Sequence, residues 1–140
     1  MKKIASEVVS LIDKKIGEIY FNTKIEKQIS DLKSIDNIDI DVIDKILMLF
    51  ENNPEFDFGS PGSLTHYLER FYKKGYEKKL ISSIQRRPTG HTLWMLNRII
   101  NSASTQEKKE YLLVIKNIYS DNRLEQTLRD RALKFYQLHE

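Results

Sequence analysis

Three histidines, His66, His91 and His139, are the residues through which this chain would most readily do acid–base or metal chemistry. Imidazole titrates near neutrality and is the commonest metal ligand. None of the three belongs to a His-Glu-x-x-His arrangement or to another metal-ligand pattern of histidines and carboxylates. His66 and His91 fall in first helical turns and His139 in a terminus expected to fray, so structural or surface roles are expected for them. Asp41 and Asp44 share one helical turn, but a first-turn carboxylate is already accounted for by its favourable interaction with the helix dipole. Serine and threonine form no Gly-x-Ser-x-Gly elbow. The run Gly59-Ser60-Pro61-Gly62 has no Gly-Lys-Ser/Thr ending, and Pro61 offers no N–H, so it is no phosphate loop. With no cysteine anywhere, disulfides, thiolate zinc sites and a cysteine nucleophile are excluded together. The expectation is a protein without catalysis, metal, cofactor or small-molecule substrate.

Binding chemistry is better represented. Net charge is +3, unevenly spread. Residues 1–30 hold 6 basic and 4 acidic side chains, residues 31–57 hold 2 and 8, and residues 58–140 hold 15 and 8. The middle segment, at −6, contains Asp36, Asp39, Asp41, Asp44, Glu51 and Glu55 and is a candidate surface for a basic partner. The opposite candidate is the basic 70–87 region, where Lys73, Lys74, Lys78, Lys79, Arg86 and Arg87 accompany Tyr72 and Tyr76. Cations beside aromatic rings can hold phosphates and stack bases. No helix-turn-helix signature accompanies them, and lysines at a helix junction are ordinarily a solvated corner, so nucleic acid is not the expected partner.

The elements that would position these groups are all helical. A chain of 140 residues is expected to form one domain and to fold without metal or disulfide. Apolar spacing predicts helices over about 3–16, 24–34 and 40–53, the third capped by Asp39 and stopped before Pro54. Ser60 is placed as a cap with Pro61 in the first helical position, opening a helix that carries Leu64, Tyr67, Leu68 and Phe71 and ends at Gly75. Further helices are predicted over 76–86 (stopped by Pro88), from Thr89 as a cap through Ile100, and over 105–119 behind a Ser104/Glu107 capping box. The last should open at Asp121 and turn Leu124, Leu128, Ala132 and Phe135 inward. Starts near 61, 90 and 122 recur about every thirty residues, the cadence of stacked helical hairpins. The predicted fold class is therefore all-α: an irregular HEAT-like α-solenoid or a compact multi-helix bundle. Asn97 shares the inward spacing of Leu93 and Ile100, so its amide should find a buried partner, expected in loop backbone near Gly59 or Pro88. The start Met1-Lys2-Lys3-Ile4 is followed by Glu7, Asp13 and lysines too soon for a signal peptide or membrane span, so a cytoplasmic protein is expected.

One family resemblance is carried by two segments. Asp57-Phe58-Gly59-Ser60-Pro61-Gly62 with Leu64, His66, Leu68 and Glu69 is the first. Arg87-Pro88-Thr89, Thr92 and Trp94-Met95-Leu96-Asn97-Arg98-Ile99 is the second. Between Phe56 and Asn101, about a third of the chain, this pattern resembles the helical, HEAT-like immunity proteins that accompany bacterial polymorphic toxins, including contact-dependent growth inhibition systems. The resemblance implies stoichiometric inhibition of a cognate toxin, commonly a nuclease, inside the producing cell. The residues themselves, as caps, stops and a lock between hairpins, make Gly59, Ser60, Pro61, Pro88, Thr89, Trp94, Asn97 and Arg98 the scaffold of that pattern. A toxin nuclease is basic around its phosphate cleft, so the expected toxin-binding residues are Asp36, Asp39, Asp41, Asp44, Glu51 and Glu55, with Tyr67 or Tyr72 as aromatic anchors. The alternative is a helical-repeat adaptor or nucleic-acid-binding module using the 70–87 region.

Overall fold

A computed structural model describes residues 4–140, and among these the protein is all-α: nine helices and no strand. They are α1 (Ala5–Asp13), α2 (Phe21–Lys24), α3 (Glu26–Ser34), α4 (Ile40–Asn52), α5 (Ser63–Glu69), α6 (Tyr76–Arg86), α7 (Gly90–Ile100), α8 (Thr105–Tyr119) and α9 (Gln126–His139). The chain forms two compact units, the first ending at Lys79 and the second spanning Leu80–Glu140, with the boundary inside α6.

In the first unit α1 packs on α3 and α4, and α3 packs on α2 and α5. Val8 and Ile12 of α1, Leu32 of α3, Ile43, Ile46, Leu47 and Phe50 of α4, and Leu64 and Leu68 of α5 are fully or almost fully buried. Beside them stands a cluster of phenylalanines. Phe58 meets Phe50, Phe56 and Phe21 edge to face, with ring centroids 4.7, 4.9 and 5.8 Å away, the arrangement the ring quadrupole favours. Asp39 caps α4 as expected, its Oδ1 accepting from the Asp41 N–H at 3.0 Å. α4 ends at Asn52, ahead of Pro54.

The predicted second helix is α3, starting at Glu26 rather than about Lys24, and an unpredicted single turn, α2, precedes it. The predicted first helix is shorter, ending at Asp13 with turns around Gly17, whose φ is +95°; its expected start at Lys3 lies outside the described residues. The largest departure is at α5. Ser60 does not cap and Pro61 is not in the first turn; the N-cap is Gly62 and the helix begins at Ser63. Gly59 and Gly62 both take positive φ, +101° and +83°, and the loop folds so tightly that a Cβ on Gly62 would run into the Phe58 carbonyl. The Asp57 carboxylate accepts from the Gly59 N–H at 2.8 Å. The cap comes from a distant side chain. Asn22 Oδ1 accepts from the Ser63 N–H at 2.9 Å, while its Nδ2 donates to the Phe58 carbonyl at 3.3 Å. α5 also stops early, at Glu69, and a turn with Lys73 at φ +61° leads to Gly75. The Lys73 N–H donates to both carboxylate oxygens of Glu77, each at 3.0 Å.

In the second unit α7 packs against α8 and α9, and α8 against α9. Each of the three touches the other two, which is the bundle alternative rather than a linear stack. Leu93, Met95, Leu96, Ile100, Ile115 and Ala132 are almost fully buried, whereas Leu124, Leu128 and Phe135 are only half-buried. Two predicted capping boxes or caps form: Thr89 with Thr92, and Ser104 with Glu107. α9 opens at Gln126 rather than Asp121. The Asp121 carboxylate is engaged by the Arg123 N–H and guanidinium at 2.9–3.0 Å, so it closes a turn one step ahead of the helix. Among the described residues, no helix is long and apolar enough to cross a membrane.

Candidate functional site

The acidic segment resolves into a smaller exposed cluster. Asp36 on the link between α3 and α4, Asp39 at the cap and Asp41 in the first turn are all exposed, and six residues of chain hold them at one end of α4. Among the described residues, neither Asp36 nor Asp41 forms an ion pair. Glu55 is exposed too, but it follows α4, whose 13 residues set it about 20 Å from that cluster along the helix. Two members drop out. Glu51 is 5 % exposed, because helical register turns it to the side of α4 that carries Leu47 and Phe50. Asp44 is half-buried and gives Oδ2 to the Lys79 ammonium at 2.7 Å; its charge is already answered within the fold. Glu51 is not a surface group, and Asp44 is a structural partner.

The aromatic anchors also divide. Tyr67 is 1 % exposed, with its hydroxyl buried and lacking a hydrogen-bond partner. Burial pushes its phenol above the ordinary value, opposed in part by the Arg70 charge, whose guanidinium lies 5.6 Å from the ring centroid. So buried a ring cannot serve as a docking anchor. Tyr72 is half-buried with the Lys73 ammonium 5.7 Å from its centroid. The most exposed aromatic was invisible to spacing: Tyr20, 78 % exposed beside Ile19 at 74 %, on a backbone of φ 60° and ψ 38°. Helical periodicity lapses after Gly17, and that lapse was its sole sequence signal.

In the basic region Lys73, Lys74, Lys78, Arg86 and Arg87 are exposed, but Tyr76 is buried and Lys79 is held by Asp44. Of the two tyrosines proposed to stack bases, only Tyr72 presents any surface.

The scaffold residues behave largely as structure. The Pro88-Thr89 turn ends in the Thr89 capping box, with both Thr89 and Thr92 buried. Trp94 is half-buried, the Arg98 guanidinium 5.2 Å from its ring and His91 stacked obliquely at 5.7 Å. Asn97 does not reach loop backbone near Gly59 or Pro88. Its Oδ1 lies 2.6 Å from His139 Nε2, and because an amide oxygen only accepts, that ring nitrogen carries the proton. His139 is therefore pinned rather than frayed, with burial chiefly, and the Lys108 charge secondarily, holding its pKa below the ordinary histidine value.

One groove of about 540 Å³ lies between α3 and α5, lined by Glu26, Ile29, Ser30, Lys33, Ser63, His66, Tyr67 and Arg70. His66 Nδ1 stands 3.6 Å from Glu69 Oε1. No cluster of histidine and carboxylates among the described residues could hold a metal ion. No family model matches the sequence, and no curated protein or solved structure matches it.

Proposed function

We propose that this chain is an immunity protein, a stoichiometric inhibitor that captures and neutralises a cognate bacterial toxin domain inside the producing cell. The target is a domain with a basic, phosphate-binding cleft, as a nuclease has. The observation that carries this reading is the exposed carboxylate cluster Asp36, Asp39 and Asp41 at the start of α4. Charges left open to solvent at one edge steer a basic partner in diffusional encounter and penalise wrong partners, more than they add to final affinity. Half-buried Tyr72, and exposed Tyr20 with Ile19, supply apolar surface of the kind that carries binding energy once the partners meet.

The test is co-expression with any toxin domain found encoded next to this gene, followed by association kinetics. Asp36→Lys and Asp41→Lys reverse two charges, while Asp39→Asn removes the third and keeps a side chain that caps well. The triple variant should associate about ten-fold more slowly at low salt and protect cells less well. Unchanged kinetics and protection would sink the acidic face. Salt-dependent binding of a labelled single-stranded RNA by the chain alone would replace the inhibitor reading with the nucleic-acid one.

A further inference from the structure

We propose that the groove between α3 and α5 is a binding site for a small ligand bearing an oxyanion, phosphate or carboxylate. Its walls are two matching stripes: positions 26, 29, 30 and 33 of α3 face positions 63, 66, 67 and 70 of α5 and its cap. Each stripe has the i, i+3, i+4, i+7 spacing of one helix face. The central members, Ile29 and Tyr67, are buried and make an apolar floor, while Lys33, His66 and Arg70 on the walls are exposed. A volume of about 540 Å³ falls within the range of small-molecule sites, which combine an apolar floor with a few convergent polar groups.

The polar inventory favours an anion. Lys33, Arg70, His66 and the hydroxyls of Ser30 and Ser63 all donate; Glu26 is the sole carboxylate on the lining. Among the described residues Lys33, Arg70 and Glu26 form no ion pair with one another or elsewhere, so the cationic donors are not consumed by the fold. Glu26 and Lys33 are seven residues apart on α3, about 10 Å, which leaves the Lys33 end clear of the carboxylate. Arg70 is steadied by the Tyr67 ring beneath it, 5.6 Å from guanidinium to centroid, and its planar fork matches an oxyanion in bidentate fashion.

This proposal does not rest on the inhibitor reading, and its test does not involve a toxin. The full chain is titrated with inorganic pyrophosphate, and separately with citrate, while its backbone amide NMR spectrum is recorded. Expected are saturable shifts centred on Ser30, Lys33, Ser63, His66 and Arg70, with an apparent Kd of about 1 mM or tighter. Saturation by pyrophosphate alone identifies a phosphate ligand, by citrate alone a carboxylate ligand. Lys33→Gln and Arg70→Gln should each weaken binding about ten-fold, and Glu26→Gln should tighten it; all three side chains are exposed, and unaltered resonances from the buried Val8, Ile12, Ile46 and Leu47 of the same unit verify folding. Shifts as large at Lys73, Lys74 and Lys78 as in the groove, or undiminished binding by the Lys33 and Arg70 variants, would overturn the assignment.

Discussion

Asn22 is a structural tie that the sequence does not single out. Its one amide ties the Phe58 carbonyl and the first N–H of α5, which holds the Gly59–Gly62 loop against α2. Replacing it with alanine leaves a partly buried donor and acceptor unmatched, an expected loss of about 1–3 kcal/mol. Urea unfolding should show this as a lower midpoint with an unchanged slope. Asn22→Asp keeps the acceptor for Ser63 and loses only the donor, so it should cost less than the alanine change. A loss equal to or greater than alanine's would mean that the Ser63 contact is not the one that matters. Nothing near Asn22 in sequence announces this role, because its partners lie 36 and 41 residues away. Asn97 shows the complementary case: helical spacing identified a polar side chain in need of a partner, but the partner proved to be His139.

At the scale of elements, helices whose ends are set by local chemistry were legible. α6 and α8 have the predicted bounds, and α4 and α7 are matched within a residue, since Asp39, Thr89 and Ser104 each cap through a side chain within three residues. α5 and α9 differ because distant side chains or local turns move their starts. The docking of α9 has a testable pH dependence. His139 has a lowered pKa in the folded protein, by burial first and by Lys108 second, so the unfolded chain takes up the proton at higher pH. The His139 contribution is therefore complete above about pH 6.5, the unperturbed histidine value. It is lost progressively as pH falls through the folded value. Melting of the protein at pH 7.5 and pH 5 should show this loss, and in His139→Gln the part due to this histidine should vanish. A stability that rose on acidification through this range because of His139 would contradict the assignment.

For the whole molecule, charge is the property that sequence displays most openly. A net +3 conceals the −6 of residues 31–57, and the fold keeps Asp36, Asp39 and Asp41 of that segment at the surface while withdrawing Glu51 and Asp44. Under the inhibitor reading, capture of a basic toxin should slow with added salt, since screening shortens to about 8 Å at physiological ionic strength. Stopped-flow association measured from low to physiological salt should therefore give a falling rate, with a dissociation rate that changes much less. An association rate indifferent to salt would remove electrostatic capture from the mechanism.

Sequence alone determined the all-helical class, most of the helices and the presence of an acidic segment, because helical periodicity and caps are interactions among residues three or four apart. It also placed Phe58 beside a glycine-rich turn, though not within its ring cluster. The tertiary structure alone decided which carboxylates reach solvent, that Tyr67 is buried while Tyr20 is exposed, and that Asn22 and His139 serve as ties. It alone set the α3 and α5 stripes face to face. Each of those outcomes depends on which helix faces are turned toward one another, and that is fixed by packing between residues far apart in the chain.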